Sequence, residues 1–128
     1  MAAMGKSLGA RFLAQASARA GAHHWLMERL TSVALVPLTL WFVVSAVSLS
    51  GGGYEEVRHW LAAPFNTVAM LLLVLAAFWH AQLGAQVIVE DYVHGETSKL
   101  LALMAINFGT IALGLACAVA VLKVAFGS

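Results

Sequence analysis

The sequence predicts an all-α membrane protein, with three transmembrane helices preceded by an N-terminal arm. Two observations carry that reading. Of the 128 residues, 62% are hydrophobic and only 10% charged, whereas soluble domains carry about 25% charged residues. Three stretches, residues 30–50, 61–89 and 100–122, contain no Asp, Glu, Lys or Arg. Each is long enough to cross about 30 Å of hydrocarbon, which takes roughly 20 helical residues. The formal net charge of +1 and the scattered basic residues exclude a nucleic-acid-binding surface. The single cysteine, Cys117, sits in an apolar run. It forms neither an internal disulfide nor a cysteine metal cage and reads as a small packing residue.

Taken in order, the chain reads as one membrane-anchor domain over residues 1–128, with spans at about 30–50, 65–89 and 100–122. The acid-free segment before Glu28 has the composition of a transit peptide, and residues 30–50 have the look of a late signal sequence; we expect both to be retained. Ser50-Gly51-Gly52-Gly53 ends the first span, because glycine supplies the backbone angles of a turn. Tyr54 to Trp60, with Glu55, Glu56, Arg58 and His59, predicts a short interfacial helix. The second uncharged stretch has 29 residues, about 43 Å of helix, so it must tilt or project. Gln82, Gln86, Glu90 and Asp91 suggest that its C-terminal end projects. Asp91 to Lys99 is expected to be a tight polar turn. In the third span, Ala102, Ala105, Gly109, Ala112, Ala116 and Ala120 make a stripe of small residues suited to close helix packing. Three spans put Lys6, Arg11, Arg19, Arg29 and Lys99 on one side and Arg58 and Lys123 on the other. The positive-inside rule then predicts a cytoplasmic (or mitochondrial matrix) N-terminus.

His80 is the most informative residue. It falls near the middle of the second stretch, where an ionisable group is costly and usually functional. A neutral imidazole there either hydrogen-bonds to a neighbouring helix or binds a metal. Ala76, His80 and Gly84 are spaced by four and share one helix face. Small residues above and below the imidazole admit a flat macrocycle, though they also serve ordinary helix packing. His23, His24, His59 and His94 all fall near or outside the interfaces, so if His80 ligates a six-coordinate haem, the second histidine is expected from another chain. Asp91 and Tyr92 lie about 18 Å of helical rise beyond His80; on their own they read as a solvated carboxylate and an aromatic-belt tyrosine. Arg29, beside Glu28, reads as a snorkelling anchor paired with an acid.

The run His80-Ala81-Gln82-Leu83-Gly84-Ala85-Gln86-Val87-Ile88-Val89-Glu90-Asp91-Tyr92 resembles the second-helix signature of the succinate dehydrogenase hydrophobic membrane anchor, D-subunit type, a b-type cytochrome. Its marks are a histidine, a glycine four residues on, and Asp-Tyr eleven and twelve residues on. The basic arm, and Gly21, His23 and Arg29 before the first span, are similar to that family as well. The resemblance implies that His80 is an axial ligand of a haem b shared with a sister C subunit. It also implies that Tyr92 hydrogen-bonds a quinone, ubiquinone by expectation, with Asp91 in the quinone environment. Arg29 would face a haem propionate or line the quinone pocket. The roles of His23 and His24 stay open.

The chain has no flavin fingerprint, iron–sulfur cysteine set or catalytic triad. The resemblance therefore implies a subunit with no activity of its own, anchoring a flavoprotein subunit and an iron–sulfur subunit of a succinate:quinone oxidoreductase in a bacterial inner membrane, or less readily a mitochondrial one. The competing expectations are a fumarate reductase anchor, running the same chemistry in reverse, and a non-redox helical assembly subunit.

Overall fold

A computed structural model describes residues 7–127. It contains four helices and no strand among those residues: α1 (Leu8–Leu49), α2 (Tyr54–Ala62), α3 (Pro64–Tyr92) and α4 (Glu96–Phe126). Three of them, α1, α3 and α4, are long and apolar enough to cross a membrane. Lys6, one of the five basic residues assigned to the N-terminal side, lies outside the described residues.

The arm and the first span are one helix. At 42 residues, α1 is about 63 Å long, twice the hydrocarbon thickness. Residues 8–29 are mostly Ala, Leu, Arg, Gln, Met and Glu, all good helix formers, and Gly21 costs only about 1 kcal/mol relative to alanine. Nothing there stops a helix. The start is capped by the Ser7 hydroxyl, which accepts from the Ala10 N–H at 3.3 Å, satisfying one of the free donors of the first turn. The other end stops at Gly51, whose φ of +94° suits glycine alone at little cost.

The α2–α3 corner is stapled by side chains. Asn66 Nδ2 donates to the Trp60 carbonyl at 2.8 Å, which also accepts from the Ala63 N–H, and Thr67 Oγ1 donates to the Leu61 carbonyl at 2.6 Å, so side chains help to satisfy carbonyls at the end of α2. Pro64 at the first turn of α3 has the fixed φ of a helix start and extends the residue before it, Ala63. Trp60 of α2 stacks on Trp41 of α1, with ring centroids 5.3 Å apart. These ties set α2 against the mouth of the bundle rather than in line with α3. α4 ends on Gly127 in the left-handed region, φ +73°, closing its last turn.

α3 is the central helix. It packs against both α1 and α4, α2 sits against α3 and α4, and α1 and α4 have at most marginal contact. The register is antiparallel on both sides: Thr31 of α1 meets His80 of α3, and Gln82 of α3 donates to Asn107 Oδ1 of α4 at 2.7 Å. Few side chains are enclosed. Among the described residues, Leu61, Ala69, Leu83 and Val89 form the buried apolar set, and Thr31 is the one buried polar residue. The many exposed large apolar residues, from Leu30 to Phe126, face lipid or another subunit, as expected where the solvent is itself apolar.

One expectation changes. The polar turn shrinks to Val93–Gly95: Asp91 and Tyr92 are the last residues of α3, and Glu96 to Lys99 form the first turn of α4. A Gly before an acidic residue at a helix N-terminus is a good start signal, so the helices approach each other more closely than polarity implied. The small-residue stripe of α4, expected to be a packing surface, is largely left uncovered by α3. Ala105, Ala112, Ala116 and Ala120 are exposed, and the buried residue is Gly114, against which Phe78 packs. Ridge packing selected the face that receives the Phe78 ring rather than the longest run of small residues.

Candidate functional site

His80 sits just past the middle of α3 and is half-buried. Its Nδ1 lies 3.1 Å from the Thr31 hydroxyl. Its Nε2 makes no hydrogen bond to the described residues. One turn further along the same face, a Cβ on Gly84 would meet nothing within 4 Å, so the face carrying the imidazole opens into space. Among the described residues no three His, Cys, Asp or Glu side chains converge to hold a metal ion. What the chain offers is one imidazole nitrogen beside an open, small-residue face. That donor set fits a flat macrocycle ligated from one side, with the other axial ligand supplied from elsewhere.

Asp91 and Tyr92 close α3 about 18 Å beyond His80. Asp91, eleven residues on, returns to nearly the same face, and Tyr92 is turned about 120° from His80. Both are exposed, the phenol at 76%. Neighbouring Glu90 is held differently, accepting from Gln86 Nε2 at 3.1 Å.

Arg29 does not pair with Glu28: consecutive helix residues point apart, and among the described residues the one ion pair is Arg58–Glu55 at 3.6 Å. The Arg29 guanidinium lies over the Trp25 ring instead, 5.5 Å from its centroid, a cation–π contact along α1. Two residues from Thr31, it is close to the level of His80 but about 200° around the helix. It thus leaves α1 away from the Thr31 contact. His23 is exposed. His24, seven residues before Thr31, shares the face of α1 that meets α3 and is half-buried, about 10 Å of rise from Thr31 towards the Tyr92 end.

Thr31 is the residue that sequence reasoning missed. Thr31, Ser32 and Thr39 are indistinguishable in an apolar helix until the α1–α3 register is known. Only that register sets one hydroxyl against the single deep histidine.

Residues 9–117 match the family model described as succinate dehydrogenase/fumarate reductase transmembrane subunit. A succinate dehydrogenase hydrophobic membrane anchor subunit of Rickettsia conorii is 36% identical over 78 residues, covering 60% of this chain and 62% of that protein. The corresponding subunit of Rickettsia bellii is 31% identical over 95 residues, 74% and 76% of the two chains. A succinate dehydrogenase membrane anchor subunit of Reclinomonas americana is 28% identical over 92 residues, 70% and 77%. With its three long apolar helices, the chain belongs to the succinate dehydrogenase/fumarate reductase transmembrane subunit family.

Proposed function

We propose that the chain is the membrane anchor of a succinate:quinone oxidoreductase, holding a flavoprotein subunit and an iron–sulfur subunit at the membrane and contributing to haem and quinone sites. The observation that carries this reading is His80, alone deep in a span, with Nε2 unengaged among the described residues and the open Gly84 face beside it. His80 would supply one axial ligand of a haem b, and a sister C subunit the other. When bound, the haem supplies one-electron redox chemistry whose potential depends on ligand and burial.

The residues of this chain have separable tasks. His80 holds the group in place. Tyr92 presents its phenolic proton to a quinone carbonyl, ubiquinone in our reading, while its ring packs at the bilayer edge. Asp91 contributes negative charge and an acceptor next to that headgroup. Arg29, free of any carboxylate among the described residues, balances a haem propionate or lines the quinone pocket from the outer side of α1. The relatives' names favour the succinate-oxidising direction, and the family description embraces fumarate reduction as well. We place the chain in a bacterial inner membrane with its N-terminus cytoplasmic, on the basic residues of α1 and Lys99.

The test is the b-haem spectrum of the purified complex carrying His80→Ala. Loss of the low-spin bis-histidine signal is expected. An unchanged spectrum and axial signature would remove His80 from the haem site and leave the chain as a helical anchor only.

A further inference from the structure

The Thr31 hydroxyl has three neighbours and one proton. Its Oγ1 is 2.8 Å from the Met27 carbonyl oxygen, 3.1 Å from the Glu28 carbonyl oxygen and 3.1 Å from His80 Nδ1. Carbonyl oxygens only accept. Were the proton given to His80, two close oxygen–oxygen contacts would remain with no hydrogen between them. The helix itself therefore claims that proton: a threonine in a helix turns its hydroxyl back onto the carbonyl three or four residues before it. What Thr31 has left for His80 is a lone pair.

A neutral imidazole carries one proton, on the nitrogen that finds an acceptor. Resting on the haem-ligand reading above, we infer that Thr31 is the positioning residue that holds the proton of His80 on Nδ1 and so directs the Nε2 lone pair outward as the iron ligand. Three features of this chain support it. Thr31 is the one buried polar residue among the described ones, so the contact is shielded from competing water. The acceptor direction is set by α1's own backbone rather than by a rotor free to choose. And His80 has no other hydrogen bond to the described residues that would fix its ring. The contact also orients the imidazole plane about α3, as outer hydrogen-bond partners of metal-ligating histidines do, and makes the ring a stronger electron donor.

The experiment uses the assembled complex with Thr31→Val, which keeps the branched shape and removes the acceptor, beside Thr31→Ser, which keeps the hydroxyl. In Thr31→Val, transfer of haem to an excess of apomyoglobin should become about 10- to 100-fold more favourable, the usual loss for such an outer partner. The haem midpoint potential should rise, because a weaker donor stabilises ferric iron less, and the low-spin electron paramagnetic resonance signal should move. Thr31→Ser should behave as the unaltered chain. Full haem retention with unchanged potential and resonance in Thr31→Val would reduce Thr31 to packing, as would a Thr31→Ser complex that matches Thr31→Val. Should Thr31→Val fail to assemble, pulsed resonance on the unaltered complex with 15N-histidine reads the tautomer directly. Iron on Nε2 with a proton on Nδ1 is expected; iron on Nδ1, or an unprotonated remote nitrogen, overturns the inference. A complex with no b-haem at all, or an axial signature untouched by His80→Ala, would instead sink the ligand reading on which it rests.

Discussion

Tyr92 and His80 sit in opposite environments on one helix, and the difference follows from where α3 ends. The phenol is 76% exposed on the last residue of α3, free to meet a headgroup entering from the bilayer edge. The imidazole is held against α1. Tyr92→Phe deletes the donor and keeps the ring. A lost neutral hydrogen bond costs about 0.5 to 1.5 kcal/mol, and more where negative charge develops on the acceptor. The expected result is a selective fall in quinone reduction of about 2- to 13-fold or greater. Haem content and succinate oxidation by artificial acceptors that bypass the quinone should stay unchanged. Unaltered quinone kinetics in a fully assembled Tyr92→Phe complex would leave the tyrosine as an interfacial anchor.

Between helices, two contacts fasten α4 to α3 and make different demands. Gly114 lies under Phe78, and a Cβ built on it would stand 3.5 Å from the ring, an ordinary contact distance. Gly114→Ala should therefore be nearly neutral. Gly114→Leu has nowhere to go and should cost about 1 to 3 kcal/mol as the helices are forced apart, read as a lower melting temperature of the detergent-solubilised complex. Equal stability of the two variants would show that α4 does not seat on the ring as described. The polar tie from Gln82 to Asn107, at 2.7 Å, is worth less than its short length suggests, because a polar side chain released within a membrane finds other partners. A double-mutant cycle with Gln82→Leu and Asn107→Leu should give a coupling of about 0.6 kcal/mol and not above about 1.7.

For the molecule as a whole, the antiparallel register gathers charge at the two ends. α1 residues before Thr31 run beside α3 residues after His80, so Arg11, Arg19 and Arg29 share an end with Lys99 in the first turn of α4. Arg58 lies against Gly127 at the other end, near Lys123. The basic majority should face the cytoplasm or matrix. With Cys117 replaced by serine, a membrane-impermeant thiol reagent applied from the outer side should label Gly53→Cys and spare Ser98→Cys. The reverse pattern would invert the topology.

Three spans were legible in the chain because uncharged length is the property a bilayer selects, and length is counted without knowing any contact. His80, Asp91 and Tyr92 stood out for a related reason: a histidine within a span, and a carboxylate and phenol at its end, are unusual in any arrangement of the helices. Composition could not show that the arm continues α1 without a break, since a polar helix and a polar coil differ by fractions of a kcal/mol per residue. Nor did the small residues of α4 reveal which of their faces meets α3, because several faces are smooth enough and the choice depends on where the Phe78 ring lands. Thr31 belongs wholly to the tertiary structure. Its hydroxyl matters only because the lengths of α1, α2 and the turns between them set one residue in 42 of α1 opposite one residue in 29 of α3, and a hydrogen bond tolerates an error in that register of less than a single helical rise.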